Sequence, residues 1–97
     1  MEMIKDLKSN LTIYLTELGY QNLYPIFKKD IDFCIIQIEI ELDRVRFILH
    51  SKIDAFHIEH LILLKELIFV FDFKFVVNDI IHKLFDNYLE YKLKKNE

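Results

Sequence analysis

Residues 33–50 read as two apolar runs that mirror each other across a short polar break: Ile36, Ile38, Ile40 and Leu42, then Asp43-Arg44, then Val45, Phe47 and Leu49. Strand side chains alternate between faces with a period of two. Setting Leu42 against Val45 therefore also sets Ile40 against Phe47 and Ile38 against Leu49 on one face. The same register puts Glu41 against Arg46 and Gln37 against His50 on the other. This pattern predicts an antiparallel hairpin with a clean apolar seam on one side. The second side is mixed, because Phe33, Ile35 and Ile48 interrupt Gln37, Glu39, Glu41, Arg46 and His50. A helix or another subunit is expected to cover part of it.

The flanking segments supply helices. Ile4, Leu7, Leu11, Tyr14, Leu15 and Leu18 form one helical stripe, and Gly19 follows as its stop. Residues 20–30, with Pro25 and the charged Lys28, Lys29 and Asp30, read as a connector with a short extended piece at 24–27. Asp54 is placed to N-cap a second helix that carries Ile58, Leu61, Ile62 and Leu64 and runs to about Leu67. In the stretch 68–77, Phe69, Phe71, Phe73 and Phe75 alternate with Val70, Asp72, Lys74 and Val76, a period of two that favours a strand. No Gly or Pro precedes it, so a continued helix to Phe71, with only 73–77 extended, stays open. Asn78 then caps a last helix through Ile80, Ile81, Leu84, Phe85, Tyr88 and Leu89, and the Lys92–Lys95 tail complements the negative end of its dipole. The expected fold is α+β: a small antiparallel sheet built on the central hairpin, with three helices, in the order α-β-β-α-β-α. Residues 1–97 form a single domain.

Size and composition narrow the function classes. A chain of 97 residues holds one core and lies near the length at which association often supplements burial, so a homodimer is expected. Nine Phe and five Tyr exceed what so small a core can hold. Tyr14 and Tyr88 are expected at the core edge, and Tyr20, Tyr24 and Tyr91 at the surface. One Ala and two Arg against fifteen Ile and eleven Lys point to an AT-rich genome, such as that of a low-GC bacterium, its phages and plasmids, or an archaeal virus. The net charge of -3 is spread along the chain, which disfavours nucleic acid as a partner; Lys28, Lys29 and Lys92–Lys95 are only local basic patches. A lone cysteine, Cys34, excludes an intramolecular disulfide framework. Lys5, Asp6 and Lys8 interrupt the start before a signal-like apolar run forms. The longest apolar stretch, 67–71, is far short of the roughly 20 residues of a membrane span. A cytoplasmic setting without membrane attachment is expected.

The reactive side chains offer few catalytic or metal-binding arrangements. His50, Asp54, His57, Glu59 and His60 lie close in sequence, and a helix beginning at Asp54 would stack Asp54, His57 and His60 one turn apart, with His50 reaching in from the hairpin. A metal centre at His50, Asp54, His57 and His60 is thus one alternative, although the spacing matches no zinc signature. Cys34 reads as a buried thiol with a raised pKa, and His50, set opposite Gln37, stands too far away to be its base. Ser51 and His50 are neighbours in a strand and so face opposite ways. One glycine cannot build a phosphate cradle. The carboxylate pairs Glu39/Glu41 and Asp30/Asp32 read as solvated strand residues. No catalytic residue and no cofactor are expected.

What is left is a surface. The expected function is that of a small non-enzymatic protein–protein interaction module, possible roles being an inhibitor of a host enzyme or defence system, or an immunity-type partner, encoded by a phage, virus or other mobile element. Its partner is another protein, met by Glu39, Glu41 and Asp43 with Phe33, Ile48, Tyr20 and Tyr24. Metal binding at the histidine cluster and association with nucleic acid are the alternatives.

Overall fold

The hairpin lies at the centre of a five-stranded antiparallel meander in the computed structural model, which describes residues 2–95. Helix α1 (Glu2–Glu17) leads into β1 (Gln21–Leu23), β2 (Ile26–Ile31), β3 (Cys34–Ile40), β4 (Arg44–Ser51) and β5 (His57–Leu63); α2 (Leu64–Ile68) and α3 (Phe73–Lys95) follow. The class is α+β, as expected, with five strands where the sequence suggested three.

Both faces of the hairpin match expectation, but its register is shifted by two residues. Ile40 pairs with Val45, Ile38 with Phe47, Ile36 with Leu49 and Glu39 with Arg46. The turn is therefore Leu42-Asp43 instead of Asp43-Arg44, closed by the Glu41 amide donating to the Arg44 carbonyl at 2.8 Å. A slip of two leaves every side chain on its own face, so alternation sets the parity and turn chemistry must choose the partner. Asp43 in the turn accepts from its neighbour Arg44 (Nε to Oδ1 2.8 Å), and Leu42 is given up to solvent.

Three segments differ in type. The connector 20–30 is a hairpin of β1 and β2 around Tyr24-Pro25, where Pro25 sits in the turn and its missing N–H costs no ladder bond. The helix expected from Asp54 is β5. Asp54 caps a corner instead, its Oδ1 accepting from the Phe56 amide at 3.0 Å, and β4 takes up the next segment as a ladder partner. β4 is thereby an interior strand, paired with β3 on one edge and β5 on the other. Finally, 73–77 opens α3 and is not a strand. The Asp72 carboxylate accepts from the Lys74 amide at 3.0 Å and so takes the cap role assigned to Asn78, which lies inside the helix. From that start Phe73, Val77, Ile80, Leu84, Tyr88 and Tyr91 form the helix stripe that meets the core.

All three helices share one side of the sheet. The core joins Leu7, Leu11 and Leu15 of α1, Leu64 and Leu67 of α2, and Val77, Ile80 and Leu84 of α3 to Phe27, Ile36, Ile38, Phe47 and Leu49 of the strands. These strand residues all belong to one face. The end of α1 locks this layer in place. Gly19, at φ +93°, lets its amide reach the Thr16 carbonyl and the Tyr20 amide reach the Leu15 carbonyl, each at 3.0 Å. This is a Schellman closure, which turns the residue after glycine back onto the helix. Tyr20, expected at the surface, is consequently only 5% exposed, and burial pushes its phenol pKa up. Lys29 caps the same end from β2, its Nζ donating to the Leu18 carbonyl at 2.7 Å.

Candidate functional site

With the helices on one side, the opposite face of the sheet carries the candidate surface. Register places the apolar Leu23, Ile26, Ile35, Ile48, Leu61 and Leu63 on it, together with Gln21, Lys28, Asp30, Gln37, Glu39, Arg44, Arg46, His50, His57 and Glu59. None of these joins the core cluster. The covering helix expected over this face lies on the other side.

Ile48 sits at the middle of this face and is 5% exposed although no helix packs on it. Gln37 and Glu59 are its cross-strand partners, and Arg46 and His50 flank it two residues away on the same strand. Polar side chains and their aliphatic stems therefore roof an isoleucine. The roof is held by Arg46, which lies 3.1 Å from Glu41, 3.8 Å from Glu39 and 3.9 Å from Glu59, while Gln37 donates to Glu39 at 3.0 Å. One guanidinium stands among three carboxylates at this cluster, while Lys28 and Arg44 on the same face return part of that charge, so the negative surplus is local to the surroundings of Arg46. Each partner is about a quarter to two-fifths exposed, so these pairs add little to stability but project a field that a cationic surface can meet.

At one edge of the same face His50 and His57 meet across strands, Nδ1 to Nδ1 at 3.0 Å, and His57 Nε2 lies 3.2 Å from Glu59 Oε1. With the His57 Nε2–H donating to Glu59, His57 Nδ1 accepts and His50 Nδ1–H donates, a chain of three polar groups. This is what becomes of the expected metal cluster. His60 pairs with Phe47 and so faces the helix side, and Asp54 is occupied at the corner by Phe56 and by Lys92 Nζ at 3.4 Å. His50, Asp54, His57 and His60 do not converge, because the segment is a strand, in which His57 and His60 take opposite faces. Among the described residues no group of three or more His, Cys, Asp or Glu is arranged to hold a metal ion.

The other expected contact residues divide. Glu39, Glu41 and Ile48 share the surface, with Asp43 at the turn beside it, where the Arg44 guanidinium holds its carboxyl below the usual carboxylate range. Tyr24 is exposed at the β1–β2 turn, at the same end of the sheet as Asp43. Phe33 is exposed at the opposite end, next to Asp32, which adopts a left-handed φ of +45°. Tyr20 faces the core and belongs to no surface. Glu59, Leu61, Leu63, Leu23 and Ile26 were not foreseen as contact residues, because β5, β1 and β2 were not read as full strands.

Cys34 is buried as expected, on the helix side, with its thiol pKa pushed up by burial. His50 pairs with Ile35 and not with Gln37, two residues nearer to Cys34 than expected, and takes the other face. Ser51 Oγ lies 3.0 Å from the Tyr88 hydroxyl and accepts from the Ile53 and Asp54 amides, which makes it a corner clamp.

Asp54 leads to a pH prediction. Burial raises its pKa, but the Phe56 amide, Ser51 and Lys92 outweigh burial and hold it below the ordinary carboxylate value. A lowered folded-state pKa adds stability that is complete above the unfolded value of about 3.9 and disappears as pH falls through the folded value. Urea midpoints of the wild type should exceed those of Asp54→Asn at pH 7, and the gap should close on acidification below pH about 4. A gap that is constant with pH would assign the effect to packing.

No described helix is long and apolar enough to cross a membrane. No protein-family model matches the chain, and no curated protein or solved structure shows a significant likeness to it.

Proposed function

We propose that this chain is a non-enzymatic binding module that grips a basic surface of another protein with the uncovered face of its sheet. The observation that carries this reading is Ile48, apolar and central on a face without helices, beneath a lid of Gln37, Arg46, His50 and Glu59 with Glu39 and Glu41 alongside. Aliphatic residues set beside the local acidic cluster of Glu39, Glu41 and Glu59 favour a partner that presents Lys or Arg at that point. Apolar contact then supplies affinity, and charge supplies orientation and a fast approach. The AT-rich composition is shared by low-GC bacteria and their mobile elements, and in a mobile element such a module would serve as an inhibitor of a host enzyme or defence system, or as an immunity partner.

The test is paired affinity capture from a low-GC host, using wild type and the double variant Glu39→Lys/Glu59→Lys as bait. Both residues are partly exposed, so the fold should survive. A protein with a basic surface should be retained by the wild type and lose at least about tenfold in affinity on charge reversal, an effect that weakens with added salt. Equal recovery by both baits would exclude this face as the contact.

A further inference from the structure

A second surface lies away from the sheet face, where α2 turns into α3. Phe69 is 85% exposed, Phe75 is 71% exposed, and Phe71 between them is fully exposed, with Met3 of α1 also exposed nearby. Three rings so open to water within seven residues form an apolar patch of the kind that monomers rarely leave unused. The helix end explains why they point outward. Asp72 caps α3 and Phe73 alone turns inward, packing edge-on against Tyr14 at a centroid distance of 5.9 Å. The rings on either side of Phe73 have no place in the core.

The shape of the patch identifies its occupant. Phe71 stands between two hollows, a mixed one lined by Met3, Leu7, Leu67 and Phe73 together with Asp6 and Asn10, and a mainly apolar one lined by Val70, Phe75 and Val76 with Asp72. A projecting ring beside an apolar hollow on one surface is self-complementary, which a two-fold interface requires, since each copy offers its partner the same knob and the same recess. The area agrees. At roughly 200 Å² per ring, three rings this exposed present about 500 Å², and pairing two copies hides about 1,000 Å² in total, the lower limit for a specific interface.

We infer that the Phe69–Phe71–Phe75 patch is the interface of a homodimer, with Phe71 of each copy seated in an apolar hollow of the other. The sheet faces of both copies then remain free, so this inference stands or falls separately from the proposed function.

Sedimentation equilibrium over about 1–100 μM reads it directly, because an obligate pair must follow mass action. The wild type should run at twice the chain mass and Phe71→Asp/Phe75→Asp at the chain mass, with an unchanged far-ultraviolet spectrum since both rings are already in water. Leu61→Asp, on the outer sheet face, should remain dimeric. A wild type that is monomeric throughout overturns the inference, as does a dimer that survives the Phe71/Phe75 double variant or is lost in Leu61→Asp. Should the monomeric wild type bind anionic vesicles through Phe71, the patch belongs to a lipid surface and the dimer is likewise overturned.

Discussion

Truncating Phe47 to alanine should remove about 3–5 kcal/mol of unfolding free energy. Phe47 is 0% exposed, lies mid-strand in β4, and faces the helix layer between Ile38 of β3 and His60 of β5. It is one of the two largest side chains wholly enclosed by the fold, with Phe27 on the same face. The cavity left behind cannot collapse easily, because strands fix its floor and Leu15, Leu64 and Val77, all fully buried, belong to the helix side. For a domain whose total stability is about 5–15 kcal/mol, such a loss approaches half of what holds it together. Urea denaturation checks it, with Phe33→Ala as the comparator. That ring is exposed and lies outside the core cluster, so its removal should leave stability within about 0.5 kcal/mol. A Phe47 variant with a similarly small effect would mean that β4 does not face the helices.

The neighbouring residue should respond to a different chemistry. Ile48→Asp should cost about 3 kcal/mol or more, since it places an unpaired carboxylate under a roof already holding Glu39 and Glu59. Ile48→Lys should cost much less, because a long stem can carry its ammonium out past the roof and pair with those carboxylates. At Phe47 no such asymmetry is expected, since the helix layer offers neither exit nor partner. Matched urea curves for the two Ile48 variants therefore test both that this face opens to water and that it is acidic. Equal costs for Asp and Lys would contradict the electrostatic reading, and a cost for Lys as high as that of Phe47→Ala would contradict the open face.

How much of this could be read beforehand depended on what periodicity encodes. The faces of β3 and β4 were legible because alternation runs from Ile36 to Leu42 and again from Val45 to Leu49, and α1 because its stripe ends at a glycine. Register was not legible, since a slip of two preserves both faces. β5 was missed because Ile58, Leu61 and Ile62 also fit a helical period, and the choice was made by pairing to β4, a tertiary effect. Phe69–Phe75 misled for the opposite reason: their period of two is genuine, but three of the four rings face water and only Phe73 serves the core. At the candidate surface, Glu39, Glu41 and Ile48 were visible as one face of the hairpin. Glu59 and Leu61 were not, for they join it only once β5 is a strand. Tyr20 was misplaced because a Schellman closure buries the residue after Gly19 whatever its polarity.

The central claim is that the uncovered sheet face is where a partner lands. Methyl-resolved NMR of the chain, titrated with the protein recovered by capture, reads this site by site. Ile35, Ile48 and Leu61 on the sheet face should shift or broaden as the partner is added, while Met3, Val70 and Val76 beside the Phe71 patch stay in place. The reverse pattern, a silent Ile48 with moving Met3 and Val76, would contradict the account.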